Sequence, residues 1–255
     1  MKKLDNKVSI ITGAGSGIGK AIALLFALEG SKVVATDIDQ KRLDLLQNEI
    51  KENGGEVTIL LANMTKEEDV ENMIQVATAT YGTLDILVNN AGIMDNFEPV
   101  GELENTVWEK VMKINVEGPF KAMRSAIKIF LPKSSGVIIN IASLGGLTGA
   151  KAGAAYTASK HALIGLTKNT GYVYSKSGIR CNAIAPGAVK TNIGETIDFK
   201  KVGQLANAMI MPGQALIPRI GDPSEIAKVA LFLASEDSSF VNGQVIVADA
   251  GWNAY

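Results

Sequence analysis

The stretch VSIITGAGSGIGKAIALLFALEG, residues 8–30, carries three patterns in direct succession. Val8–Thr12 is a short apolar run without alternation, as expected of a strand buried on both faces. Thr12–Gly19, TGAGSGIG, is a glycine turn, and residues 17–29 then follow a helical spacing. The turn is spaced G-x-x-x-G-x-G through Gly13, Gly17 and Gly19, with Gly15, Ser16 and Ile18 between them. Ile18 stands where the G-x-G-x-x-G pattern needs glycine, yet the physical logic carries over. Glycine permits a tight turn, lets the backbone approach a pyrophosphate, and leaves a helix N-terminus facing the anion.

A glycine-rich turn alone is equally a plain turn, so its surroundings decide its meaning. The next strand, KVVATD, ends in Asp37, at about the 20-residue offset where an acidic group meets an adenosine ribose. A carboxylate there accepts from both ribose hydroxyls of NAD and repels the 2′-phosphate of NADP. The plainer reading makes Asp37 a cap of the following helix, a place open to Asp39 as well. Lys41 and Arg42 lie close by and are able to hold a phosphate, which leaves strict exclusion of NADP open.

Beyond this unit, candidate strands recur at Lys32–Asp37, Glu56–Ala62, Asp85–Asn89, Gly136–Ser143, Ile179–Ala185 and Val245–Asp249. Candidate helices occupy 17–29, 40–53, 67–81, 104–130, 153–176 and 224–235, the last starting with Pro223 and Ser224 ahead of an acidic turn. Strict alternation of the two predicts an α/β fold, a doubly wound, seven-stranded parallel sheet with helices on both faces. No repeat or linker interrupts it, so residues 1–255 read as one domain. The long irregular stretch is 188–222, and loops of that length are usually functional.

Composition removes several classes of function. The 255 residues carry 25 basic and 26 acidic side chains, a net charge of −1, which suggests neither a nucleic-acid surface nor an anionic membrane as partner. No apolar run reaches about 18 residues, and the N-terminus reaches a glycine turn without a signal-like segment, so a soluble cytoplasmic protein is expected. Cys181 is the single cysteine and His161 the single histidine, so neither an internal disulfide nor a cysteine–histidine metal site is expected.

The segment AAYTASKHAL, residues 154–163, holds three side chains able to move a proton. On a helix Tyr156 and Lys160, at i and i+4, share a face, while His161 is rotated away as a satisfied helix residue. An ammonium beside a phenol favours the phenolate and lowers its pKa from about 10 toward neutrality.

With these motifs in view, the chain resembles the short-chain dehydrogenase/reductase family over essentially its whole length. The resemblance rests on TGAGSGIG (12–19), NNAG (89–92), KIN ending at Asn115, IAS ending at Ser143, YTASK (156–160) and APG (185–187), in the family's order. It implies a Rossmann-type fold and a catalytic tetrad of Asn115, Ser143, Tyr156 and Lys160. Tyr156 is the implied general acid/base, Ser143 the holder of the substrate oxygen, Lys160 the binder of the nicotinamide ribose, and Asn115 the holder of a relay water. The implied cofactor contacts are Gly13, Gly15, Ser16, Gly17, Ile18, Gly19, Asp37, Ile38, Asn63, Met64, Asn90, Ala91, Gly92, Tyr156, Lys160, Pro186, Gly187, Val189 and Thr191. Asn63 departs from the aspartate usual at that place, and its amide oxygen is expected to accept from the adenine amino group instead. Ala250 stands where the family commonly has glycine.

The stretch 188–222 reads as an apolar substrate lid, with Met94, Leu144 and Ile193 joining Ser143 and Tyr156 in a pocket for a ketone or secondary alcohol. Equally, those apolar residues only anchor the stretch to the core. The expected activity is NAD(H)-dependent hydride transfer with a small-molecule substrate, in a homo-oligomer, which the family implies to be a tetramer. Two alternatives stay open: an NADPH-dependent 3-oxoacyl-thioester reductase, and a dinucleotide-sensing regulator without turnover.

Overall fold

The computed structural model describes residues 2–254; Met1 and Tyr255 lie outside the described residues. Seven strands form one parallel sheet in the order β3-β2-β1-β4-β5-β6-β7. They are β1 (Val8–Thr12), β2 (Lys32–Asp37), β3 (Glu56–Leu61), β4 (Ile86–Asn89), β5 (Gly136–Ile141), β6 (Ile179–Pro186) and β7 (Val245–Ala248). All seven candidate strands are present, and all pair in parallel. Every residue of β1 and β4 is buried, which is why both read as unbroken apolar runs.

Helices α1 (Gly17–Leu28), α2 (Gln40–Glu52) and α9 (Pro223–Ala234) bury Ile22, Phe26, Leu43, Leu46 and Leu233 on one face of the sheet. On the other face α3 (Glu67–Tyr81) and α5 (Gly118–Lys133) bury Met73, Ile74, Met123 and Phe130. Helix α6 (Ala154–Val173) packs on β6. Strand order reverses between β1 and β4, so the carboxyl ends of these two strands flank a crevice, the place where such sheets bind ligands.

Three details depart from the periodicity reading. The expected helix 104–130 is α4 (Asn105–Met112), a π-helical segment Lys113–Glu117, and α5. Pro119 lacks the N–H that would close an α-helical bond onto the Asn115 carbonyl, so the ladder is interrupted where Asn115 sits. The stretch 188–222 is less irregular than expected, since it contains 3₁₀ turns, α7 (Gln204–Met209) and α8 (Met211–Gln214). Its two ends are tied together, with Lys190 N–H donating to Gly221 O at 2.9 Å and Gly221 N–H to Ala188 O at 2.8 Å. Helix α9 is capped by Asp222 in a reciprocal box with Glu225, and Pro223 is its first residue rather than a flanking one. Among the described residues no helix is long and apolar enough to cross a membrane.

Candidate active site

The glycine turn owes its shape to its neighbours as much as to its glycines. Gly13 and Gly17 adopt φ of +65° and +52°, a region L side chains rarely enter. Asn90, just past β4, donates its amide to Thr12 O at 2.9 Å and Gly13 O at 3.1 Å. Thr12 Oγ1 in return accepts from the N–H groups of Asn90 and Ala91 at 3.0 and 3.1 Å. The NNAG motif therefore straps the turn to the switch point, and the Asn90 amide is spent on that task.

Asp37 stands half-buried at the end of β2 and accepts from Gly15 N–H at 2.9 Å and Asp39 N–H at 3.1 Å. It does not cap α2; Asp39 does, accepting from Arg42 N–H at 3.2 Å. The Arg42 guanidinium lies 3.3 Å from Asp39 and 3.3 Å from Glu195 of the 188–222 excursion.

A cavity of about 970 Å³ runs from this turn to α6. It is lined by Gly13, Ser16, Gly17, Ile18, Asp37, Ile38, Asn63, Met64, Asn90, Ala91 and Gly92 at one end. Met94, Ser143, Leu144, Tyr156, Lys160, Pro186, Gly187, Val189, Thr191 and Ile193 line the rest. Gly15 and Gly19, expected as cofactor contacts, do not reach it. A Cβ on Gly19 would lie 2.2 Å from Gly13 O, so Gly19 serves the packing of α1 against the turn. Asn63 lines the cavity, and its Oδ1 accepts from Thr65 N–H at 3.0 Å and Thr65 O–H at 2.9 Å.

Asn115, Ser143, Tyr156 and Lys160 come together from two helical elements and the end of a strand. Ser143 lies two residues beyond β5, and its Oγ accepts from Gly145 N–H at 3.1 Å. Tyr156 and Lys160 share one face of α6, with the Lys160 Nζ 5.5 Å from the tyrosine ring centre. Lys160 is buried and donates to Ile141 O at 2.8 Å. Asn115, on the π-helical segment, accepts from Ile93 N–H at 3.0 Å and donates to Ile93 O at 2.9 Å and Ser159 Oγ at 3.1 Å. It is buried behind the cavity wall at Gly92, where a Cβ would come within 3.2 Å of Asn115 Oδ1 and 3.5 Å of Lys160 Nζ. His161 is exposed, its ring bonded to Thr157 O at 2.9 Å, and takes no part.

Burial governs the titration of this pair. The Tyr156 phenol is pushed up to about 12 by desolvation, opposed by the Ser143 hydroxyl and reinforced by the Asp95 charge. This reverses the lowering that its neighbour Lys160 suggested, because the ammonium is aimed at Ile141 O and burial outweighs it. Desolvation alone brings Lys160 down to about 8 from its ordinary 10.5. A lysine whose folded value is depressed penalises folding while the pH is below that value, and the penalty fades as the pH rises. The cofactor-free protein should therefore gain stability to urea from about pH 8 to pH 9, above which ionisation in the unfolded chain of Cys181, ordinarily near 9.0, and then of Tyr156, both held protonated by burial when folded, cancels and reverses the slope. A Lys160→Met variant should lack that gain; an equal gain in the variant would assign it to other groups.

The residues present fit a dinucleotide. The N-terminus of α1 opens on the cavity through Ser16, Gly17 and Ile18, a setting suited to a pyrophosphate, and Asp37 marks one end. Sequence reasoning missed Trp252, Gln214 and Ile217, which line the same cavity from the chain's far end and from beyond α7. No local motif announces them. Trp252 donates its Nε1–H to Gly213 O at 3.2 Å and so holds α8 in place.

A family model described as "Enoyl-(Acyl carrier protein) reductase" matches residues 13–253. The 3beta-hydroxysteroid dehydrogenase 2 of Eggerthella lenta is 42% identical over 253 residues, 99% of this chain and 96% of that protein. The cyclohexanol dehydrogenase of an Acinetobacter species is 36% identical, covering 99% of this chain and 97% of its own length. The 3-oxoacyl-[acyl-carrier-protein] reductase of Thermotoga maritima is 38% identical, covering 98% of each. Among solved structures, levodione reductase superposes with a TM-score of 0.90 at 34% identity, covering 99% of this chain and 100% of that one. An NAD(P)-dependent gluconate 5-dehydrogenase described as putative, from Beutenbergia cavernae, was solved with NADP bound at low occupancy; its TM-score is 0.87 at 34% identity, over 99% of each chain.

Proposed function

The chain belongs to the short-chain dehydrogenase/reductase family, and from that premise we propose that it exchanges a hydride between NAD(H) and a secondary alcohol or ketone on an alicyclic ring. The observation that carries the reading is the convergence of Ser143, Tyr156 and Lys160 on one cavity that also contains Asp37.

When bound, the nicotinamide supplies or takes up the hydride. Proton handling falls to the chain. Ser143 already accepts from Gly145 N–H, which leaves its own O–H to donate to the substrate oxygen. Tyr156, held neutral by burial, donates its proton to a carbonyl oxygen in reduction; in oxidation it first gives its own proton up toward solvent and then, as the phenolate, accepts the alcohol proton. Lys160 spends one N–H on Ile141 O and keeps two for the ribose hydroxyls of the cofactor. Its charge also favours the phenolate that oxidation requires. Asn115, across Gly92 from Lys160, is placed to hold a relay water.

The ring preference draws support from the wall beyond Tyr156, which is apolar through Met94, Leu144, Ile193, Ile217 and Trp252. The names of three relatives, a hydroxysteroid dehydrogenase, a cyclohexanol dehydrogenase and levodione reductase, point the same way. For NAD, the support is Asp37 at the ribose end together with an Arg42 held by Asp39 and Glu195. Similarity to an acyl-carrier-protein reductase keeps the thioester alternative in the test. A panel of cyclohexanol, a 3β-hydroxysteroid, their ketones and an acetoacetyl thioester, each with NAD(H) and NADP(H), decides among them. Turnover of the ring substrates with NAD(H) is expected; turnover of the thioester with NADPH alone overturns the proposal, and none at all favours a non-catalytic sensor.

Exposed apolar side chains on α4 and α5 (Trp108, Phe120, Leu131) and at the end of α6 (Tyr172, Val173) support a homotetramer. A monomeric mass by light scattering would remove that part.

A further inference from the structure

Helix α6, which carries Tyr156 and Lys160, starts without a cap of its own. Its N-cap is Gly153, which has no side chain to offer, and no acidic residue lies in its first turn. The missing acceptor comes from a segment far away in sequence, the loop following β4. Asp95 there is 1% exposed, and its Oδ1 accepts from Gly153 N–H at 3.0 Å. Its Oδ2 accepts from the N–H of Tyr156 itself at 2.8 Å. Three residues on, Glu98 O accepts from Ala154 N–H at 2.9 Å.

Two further features show that the arrangement is built. A Cβ on Gly153 would lie 2.6 Å from both Asp95 oxygens, so only glycine lets the carboxylate reach the helix. Phe97 is buried at φ +61°, a left-handed conformation unusual for an aromatic residue, and its N–H also donates to Asp95 Oδ1, at 3.1 Å. The same segment meets the 188–222 excursion, with Asp198 N–H donating to Asn96 Oδ1 at 2.8 Å.

We infer that Asp95 is a positioning residue for Tyr156, a buried carboxylate that caps the catalytic helix from outside and sets where the phenol stands. The inference rests on Tyr156 being the acid/base. The charge of Asp95 complements the positive end of α6 and also keeps the phenol protonated. The charged groups that bear on that phenol are Lys160 from its own helix, 5.5 Å from the ring centre, and Asp95 from the loop after β4, while Lys110 of α4 and Lys151 from the loop before α6 line the same cavity. The end of β5 contributes the Ser143 hydroxyl.

The test uses Asp95→Asn, which keeps the shape but loses the charge and one acceptor, and Gly153→Ala, which displaces the carboxylate without altering it. Both are measured as folded protein, checked by circular dichroism, with the substrate and cofactor that the wild type turns over. Asp95→Asn should lower kcat roughly ten- to a hundredfold, as a small misplacement of a reacting group does. Its KM values should stay within about twofold, since no cofactor or substrate contact is altered. The limb of its kcat–pH profile assigned to Tyr156 should move to lower pH. Gly153→Ala should lower kcat likewise with a smaller shift. A reduced melting temperature with unchanged kcat and pH profile in the folded variants would overturn the inference, leaving Asp95 a structural cap. Turnover surviving in Tyr156→Phe would overturn the acid/base reading with it; a dead Tyr156→Phe beside a fully active Asp95→Asn would overturn only this one.

Discussion

A Tyr156→Phe variant should fold, bind cofactor and lose turnover by about 10³-fold or more. The expectation follows from how the ring is held. Tyr156 is 6% exposed, and its ring packs where Gly145 leaves room, since a Cβ there would come within 3.3 Å of the ring edge. Phenylalanine keeps that packing and the i, i+4 relation to Lys160. Only the hydroxyl goes, and with it the proton donor facing the cavity. A general acid contributes about 10²–10⁴ in rate, and a loss of 10³ corresponds to about 4 kcal/mol of barrier. Ser143 and Lys160 remain and still orient substrate, so binding should change little. The measurement is kcat from reduced-nicotinamide absorbance beside a cofactor titration by fluorescence. A kcat within tenfold of the wild type would mean that another group moves the proton, and His161, exposed and bonded to its own helix, offers no substitute.

The fold was legible because the sheet is parallel and buried on both faces. Such strands appear as unbroken apolar runs, and the helices between them show their own period, so even the strand bounds were read to within two residues. The set Asn115, Ser143, Tyr156 and Lys160 came from the family resemblance, and the structure brings Ser143, Tyr156 and Lys160 onto one cavity. What periodicity does not encode is the hydrogen bonding that redirects a side chain. Asn63 lines the cavity, and its oxygen already accepts from Thr65 two residues away. Asn90 lines the cavity, and its amide also ties the glycine turn, a role no motif announces. The π-helical segment at Asn115 adds one residue to a turn without disturbing the apolar pattern. Asp95 was missed for the same reason. A capping aspartate normally sits beside the helix it caps, and this one lies 58 residues before the glycine it bonds.

The NAD preference proposed for this chain should weaken when Asp37 is replaced by asparagine. In the wild type the carboxylate is fixed by two N–H donors, Gly15 and Asp39, so it cannot swing aside to admit a 2′-phosphate. Two like unit charges about 4 Å apart at a protein surface repel by roughly 4 kcal/mol before salt screening, and the phosphate carries more than one. Screening at this half-exposed site reduces that figure, so discrimination of about 10²–10³ is expected in kcat/KM for NAD over NADP. Asparagine retains one oxygen for Gly15 or Asp39, which keeps the strand end in place, and it removes the charge. The NADP value should then rise about 10- to 100-fold, while the NAD value falls as an acceptor for the ribose hydroxyls is lost. Arg42 should contribute little to the gain while Glu195 and Asp39 hold it, so adding Glu195→Gln to Asp37→Asn should raise NADP use further. High salt separates the components, because it should erode the wild-type discrimination more than that of the variant. If the NAD-to-NADP ratio of Asp37→Asn stays within threefold of the wild type, the selectivity does not originate at the end of β2.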